Sequence, residues 1–344
     1  MKKARLLPSL LALASLPAPG FAQPAAPAAL PSPGEIVAAA PAADWIDISS
    51  DDLLVMTLAN DAQGKPRRVI IQLAPAPLAQ GWVGNIRTLT KAHWYDGISV
   101  VRVQDNYVTQ WGDPDGEDAA KAKKLPDGLR TVTEAHYDVE LDHKGVAAAL
   151  AANDVDVATK SALRVAEASA AGKSAPPDRR PRGDNYADRV TFYAGWPIGS
   201  DDESHKAWPV HCYGYVGVGR GMSPDTGTGA ELYAVIGHAP RHLDRNIAVV
   251  GRVVEGIEYL SSLPRGTGPL GFYETAGERT AIPSIRLASS LPTAEQPKFQ
   301  FLGTDSKAFA AYADARANRR DPFFIVPAGG ADICNVPVPV RRKP

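Results

Sequence analysis

One cation stands alone in a run of apolar and neutral polar residues. Arg102 is the only charge in Ile98–Gln104 (ISVVRVQ), and a second β-type run, Tyr107–Trp111, follows Asp105-Asn106. A guanidinium keeps its proton and holds its N–H donors in a planar fork. Fixed beside an apolar surface, it stabilises a lone pair or a negative charge as that develops. If Asp105, Asn106 and Tyr107 form a three-residue connection, pairing sets Arg102 opposite Gln110, whose amide can hold the guanidinium or a substrate carbonyl. A two-residue turn sets Thr109 there instead. On strand statistics alone Arg102 reads as an ordinary exposed strand residue.

Other chemistries find little support. Gly217-Val218-Gly219-Arg220-Gly221 has glycines spaced like a dinucleotide loop, but no phosphate-facing helix follows, so it reads as a plain loop. No G-x-S-x-G, H-E-x-x-H or Walker-type sequence occurs. The 7 histidines are scattered, and none pairs with another at helical metal spacing. Asp113, Asp115 and Asp118 read as a solvated acidic loop in preference to a cation site. The only cysteines, Cys212 and Cys334, lack Cys or His neighbours at zinc-ligand spacing. Neither metal nor cofactor is expected. In an oxidising compartment the two cysteines can pair, closing a loop worth roughly 4–5 kcal/mol. Two buried free thiols are the alternative.

The elements that must position Arg102 are short and turn-punctuated. Leu53–Leu58 and Arg68–Leu73 read as a hairpin around Asn60–Gly64, stopped by Pro75 and Pro77. Leu78, Val83, Ile86 and Leu89 give an imperfect helical stripe. Gly145 to Ala171 is Ala-rich and reads as a surface helix. Ala175–Asp188 is an exposed Pro- and charge-rich loop, its Arg179, Arg180 and Arg182 forming a solvated face. Strands are expected at Cys212–Val218, Leu232–Ile236, Ile247–Val254 and Ala281–Leu287. A last helix capped by Asp305 or Ser306 runs through Arg319, with Phe323–Val326 and Ile333–Val338 extended.

Thirty prolines and 30 glycines in 344 residues favour β structure with long loops over a helical bundle. Lys+Arg 37 against Asp+Glu 38 gives a net charge of −1, which excludes a generally basic nucleic-acid binder. Lys2, Lys3 and Arg5 followed by apolar Leu6 to Leu16, with small Gly20 and Ala22, read as an export signal over 1–22 cleaved after Ala22. The run is too short to span a bilayer. The expected product is soluble after cleavage and periplasmic or secreted, with no stable membrane insertion. An Ala/Pro-rich linker occupies 23–44.

Two segments carry a family resemblance. Tyr95–Asp113 (YDGISVVRVQDNYVTQWGD) has a Tyr-x-Gly turn, a strand with a single Arg, a tight turn, an aromatic, then Gln and Gly-Asp. Gly217 through Gly229 to Leu232-Tyr233, then Leu243-Asp244 and Val249–Val253 (VVGRV), add a Gly-rich loop, an aromatic strand, a Leu-Asp turn and a closing strand. Asn85-Ile86 falls on the first helix, where an Asn-Phe pair is usual. This order resembles the cyclophilins, the peptidyl-prolyl cis-trans isomerases, over about 130 residues. It departs from them at Val100-Val101 for Phe-His, Tyr107 for Phe, Val108 for Met, Glu231 for Gln, Tyr233 for Phe, His242 for Trp and Ile247 for His.

The resemblance implies a mainly β fold: a closed antiparallel barrel with flanking helices over 45–290, a long insertion at about 114–205, and a C-terminal extension at 291–344. It implies prolyl isomerisation as the activity, with proline-containing polypeptides as partners and folding of exported proteins as the role. Arg102 and Gln110 become the catalytic pair. Tyr107, Val108, Tyr233 and Leu243 become the slot for the proline ring, with His242 and Glu231 at its rim. The alternative on the same fold is a proline-peptide binding or scaffold module without catalysis.

Overall fold

The computed structural model describes residues 30–174, 184–326 and 328–344. The export signal expected at 1–22 and the basic run at Arg179, Arg180 and Arg182 lie outside the described residues. The chain begins with α1 (Pro33–Ala38), β1 (Trp45–Asp47), β2 (Leu53–Leu58), β3 (Arg67–Leu73) and α2 (Gln80–Lys91). Next come β4 (Ile98–Val103), β5 (Val108–Gly112), β6 (Val139–Glu140) and α3 (Lys144–Ala170). Then follow β7 (Arg189–Tyr193), β8 (Trp196–Asp201), β9 (Lys206–Pro209), β10 (Tyr215–Val218), β11 (Leu232–Val235) and β12 (Val249–Glu255). The last elements are α4 (Glu258–Ser261), β13 (Thr280–Ile282), β14 (Ser284–Leu287), β15 (Phe299–Leu302), α5 (Lys307–Ala317) and β16 (Val340–Arg342).

Nine strands form one antiparallel sheet in the order β13-β4-β5-β11-β10-β12-β3-β2-β14. Its two edge strands, β13 and β14, are consecutive in sequence and separated only by Pro283. The chain bends there and brings the edges together: Ala59 N–H, just past β2, donates to Ala281 O at 2.9 Å, and Gly97 N–H donates to Ile282 O at 3.1 Å. The sheet is thus a nearly closed barrel, which leaves few unpaired edge groups.

Alternation along the strands fixes what faces in. Val100, Val103, Trp111, Leu232 and Ala234 point into the main core. Val108, Tyr233 and Val235 belong to a separate buried cluster on the other face. Helix α2 caps the barrel with buried Trp82, Val83, Ile86 and Leu89, close to the helical spacing that lays one stripe on a core. Asn85 on the same helix is buried and bonded both ways to the Arg130 backbone, accepting from N–H at 2.7 Å and donating to O at 3.0 Å.

The stretch between β5 and β10 folds into α3 and a second sheet, β6-β9-β8-β7. Strands β8 and β9 are not signalled by the sequence, because Pro197, Gly199 and Pro209 break the usual β composition, whereas β7 (RVTFY) has β composition and is missed by the sequence reading. Their buried side chains Trp196, Ile198 and Ala207 merge with the barrel's core. A third sheet, β1-β15-β16, joins the two ends of the chain. Its Trp45, Phe299, Phe301 and Leu302 pack with Phe309 of α5 and with Leu53, Val55 and Ile70 of the barrel.

Three local expectations change. The 23–44 tract reads as a semi-extended linker, but its described part contains α1, closed by a capping box between Ser32 and Glu35. Phe323–Val326 is not extended but a turn with Phe323, Ile325 and Val326 exposed. Ile333–Val338 opens with a 3-10 turn at Ile333–Asn335 and carries no strand; pairing begins at Val340. That turn carries Cys334, which is joined by a disulfide to Cys212 at a separation of 122 residues. No helix among the described residues is long and apolar enough to cross a membrane.

Candidate active site

The site lies on the outer face of β4, β5 and β11. The connection after β4 sets Arg102 opposite Gln110 on that face, and a β-bulge beyond it takes up one extra residue, Val101, so that Val100 pairs with Trp111. A two-residue turn would set Arg102 opposite Thr109, whose side chain is buried in the barrel with its hydroxyl donating to Leu260 O at 3.0 Å. Asp105, Asn106 and Tyr107 form a three-residue connection, closed by Gln104 N–H donating to Val108 O at 2.9 Å. Asn106 has φ +50°. Gly237 packs so tightly over this turn that a Cβ there would lie 2.0 Å from the Asn106 carbonyl.

Arg102 is half-buried and held on all its nitrogens. Nη1 donates to Gln110 Oε1 at 2.9 Å, Nε donates to Leu270 O at 2.7 Å, and Nη2 donates to Gln104 Oε1. Its guanidinium carbon lies 5.7 Å from the Tyr107 ring centre and 5.1 Å from that of Phe272, within cation–π range. Burial pulls its pKa below the ordinary arginine value, opposed by Tyr107 and then Glu231. Gln110 in turn donates to Glu231 Oε1, so Arg102, Gln110 and Glu231 form one chain of polar contacts.

Beside this chain sits an apolar surface. Tyr233 pairs across from Gln110 and Val235 across from Val108. Tyr107, Leu243 and Ile247 pack against that group. Leu243 comes from a 3-10 turn, Arg241–Leu243, which leaves His242 exposed next to it. Every residue named from sequence for the catalytic pair and the slot therefore falls on this face, with His242 and Glu231 bordering it.

Sequence reasoning misses Gln104, Leu270 and Phe272. Gln104 is legible in principle: it is two residues beyond Arg102 on the same strand edge and shares its face. Leu270 and Phe272 are not. They lie 168 and 170 residues away in sequence, in a loop tied along β4 by Gly266 N–H donating to Val103 O and Tyr273 N–H to Val101 O. Nothing local marks that docking.

Residues 62–162 match the family model described as cyclophilin type peptidyl-prolyl cis-trans isomerase/CLD. The fold is similar to the crystal structure of cyclophilin AquaCyp293 from Hirschia baltica, at TM-score 0.58 and 21% identity, over 86% of this chain and 92% of that one. The chain has a cyclophilin-like fold, and the family model falls within it at residues 62–162. A weaker likeness exists to a cyclophilin type peptidyl-prolyl cis-trans isomerase of Cryptosporidium parvum, with 11% identity, TM-score 0.36 and coverage of 70% and 99% of the two chains. No curated protein matches the chain. The family segment includes Arg102, Tyr107, Val108 and Gln110. The second half of the site, Glu231 to Ile247, lies beyond it and is assembled by the barrel.

Glu231, at the rim of the site, is a partly buried carboxyl. Burial raises its pKa above the ordinary value of 4.5; the Gln110 hydrogen bond lowers it, Glu117 raises it and Arg102 lowers it. A carboxyl with a raised folded pKa binds its proton more tightly folded than unfolded. Its ionisation therefore costs stability above the folded pKa, and that cost disappears as pH falls to the unfolded value near 4.5. Glu231→Gln is expected to raise the melting temperature at pH 7 and to remove part of the pH dependence that begins just above 4.5. Thermal melts of both proteins across pH 4–8 check this; curves that stay parallel reject it.

Proposed function

We propose that this protein catalyses cis-trans rotation of X–Pro bonds in exported polypeptides. The observation that carries the reading is Arg102, a permanent cation held in one pose by three acceptors beside an apolar patch. Rotation about an amide is slow, with a barrier of about 18–20 kcal/mol, because resonance gives the C–N bond double-bond character. For X–Pro the two isomers lie close in energy, so only the rate needs help. Twisting the bond returns a lone pair to the proline nitrogen.

With the proline ring against Val108, Tyr233, Leu243 and Tyr107, the uncommitted N–H groups on the Arg102 Nη atoms are the donors that meet that lone pair. Preorganisation is the physical source of the gain. The guanidinium is already fixed by Gln110, Gln104 and Leu270, so no reorganisation accompanies the reaction. No acid, nucleophile or cofactor enters the step. Action on exported chains rests on the export signal read at 1–22 and on the disulfide, a bond that persists in oxidising compartments.

The second reading, a module that grips proline segments without accelerating rotation, is favoured by Glu231, whose carboxylate competes for Gln110 beside the reacting position. Exchange spectroscopy on a Pro-containing tetrapeptide separates the two. Faster cis-trans exchange with catalytic amounts of protein supports the isomerase. Saturable binding with an unchanged exchange rate supports the binding module.

A further inference from the structure

A tyrosine as the floor of an apolar slot poses a physical problem. Tyr233 is 4% exposed, and a buried phenolic hydroxyl left without a partner costs about 1–3 kcal/mol. It also places a polar atom where a proline ring is to be gripped. The chain solves this on the far side of the ring. Tyr233 Oη lies 3.0 Å from His211 Nε2, His211 Nδ1 lies 2.9 Å from Asp244 Oδ1, and the His211 backbone N–H donates to the same oxygen at 2.9 Å. Asp244 Oδ2 accepts from Arg241 Nε at 2.7 Å, and Arg241 reaches on to Asp184. His211, Asp244 and Arg241 are all buried.

A carboxylate only accepts, so an N–H of His211 sits on Nδ1; in the neutral imidazole Nε2 is the acceptor to which the phenol donates. The two rings are nearly parallel, 9° apart, with their centres separated by 6.4 Å. Space for the hydroxyl comes from Gly217, where a Cβ would lie 2.3 Å from Tyr233 Oη. These partners meet the hydroxyl end of Tyr233, and the ring lines the slot with Val108 and Val235.

We propose that His211 and Asp244 are positioning residues of the proline slot. They hold the Tyr233 hydroxyl over Gly217 of β10, at the end of the ring away from β5, so that the slot sees only the ring. The inference deepens the isomerase reading and rests on the same slot. The relay acts on grip, and Arg102 acts on rotation, so loss of the relay weakens substrate binding while turnover of bound substrate is largely kept.

A double-mutant cycle between His211→Ala and Tyr233→Phe tests it, read by NMR titration with a Pro-containing tetrapeptide and by exchange rates at saturation. In the tyrosine background His211→Ala is expected to weaken Kd about tenfold and to change the saturated rate less than about twofold. In the Tyr233→Phe background, with no hydroxyl left to hold, the same substitution is expected to change Kd less than about twofold. Equal losses in both backgrounds, or no loss in either, overturn the proposal. Should His211→Ala not fold, His211→Gln enters the same cycle, since its amide still reaches Tyr233 and Asp244; it is expected to recover most of the affinity, and failure to do so in a protein with wild-type melting overturns the proposal. Because Kd is measured separately from exchange, a wild type that binds but does not catalyse removes the isomerase reading and leaves the relay testable.

Discussion

Replacing Arg102 with alanine is expected to lower kcat/KM for X–Pro rotation by about 10²–10³-fold, or about 2.7–4 kcal/mol of barrier, the size seen when one preorganised donor is removed from a reacting centre. The loss should appear mainly in kcat, because the apolar contacts of Tyr107, Val108, Tyr233 and Leu243 remain to bind the proline ring. Arg102→Lys is expected to recover little. A lysine ammonium cannot satisfy Gln110, Gln104 and the Leu270 carbonyl from one planar fork, so the pose that the three acceptors impose is lost. Gln110→Ala is expected to fall between, since it removes one of the three tethers and the link to Glu231. Folding should be little affected, as Arg102 lies on the outer face and its substitution opens no core cavity. A protease-coupled assay showing Arg102→Ala equal to the parent would remove the guanidinium from the mechanism.

The parts of this site that are legible in sequence are those whose geometry is local. The Arg102–Gln110 pair depends on a connection of a few residues, and the choice reduces to two turn lengths, one that sets Gln110 opposite Arg102 and one that sets Thr109 there. The Tyr233 face follows from strand alternation once Leu232 and Ala234 are assigned to the core. Sequence is silent where long-range docking decides. Leu270 and Phe272 reach Arg102 only because their loop runs along β4, and His211 reaches Tyr233 only because the Tyr233 ring extends across Gly217 of β10 to the segment that precedes that strand. The β1-β15-β16 sheet is of the same kind, since no local pattern pairs Trp45–Asp47 with Phe299–Leu302. The bulge at Val101 lies between: its effect on the pairing of Val100 is local, but nothing in the composition of ISVVRVQ announces it.

Loss of the Cys212–Cys334 bond is expected to cost roughly 4–5 kcal/mol, the chain-entropy value for a closed loop of this size. That corresponds to a fall in melting temperature on the order of 10 °C. The tail has other anchors: Val336 and Val338 are buried, the Tyr312 hydroxyl donates to Pro337 O at 2.7 Å, and β16 pairs with β15. These keep the folded state recognisable after reduction, so the effect falls chiefly on the unfolded chain, which gains freedom once residues 212 and 334 are released. The bond also borders the slot's support, because Cys334 Sγ is 3.5 Å from the carbonyl of His211. Reduction is therefore expected to loosen the Tyr233 clamp and weaken peptide binding along with stability. Melts with and without reductant, beside a Cys212→Ser/Cys334→Ser double variant, decide the matter. The variant should melt like the reduced parent and ignore reductant. An oxidised and a reduced parent with the same transition would mean that packing of the tail, not the bond, holds the C-terminal segment to the barrel.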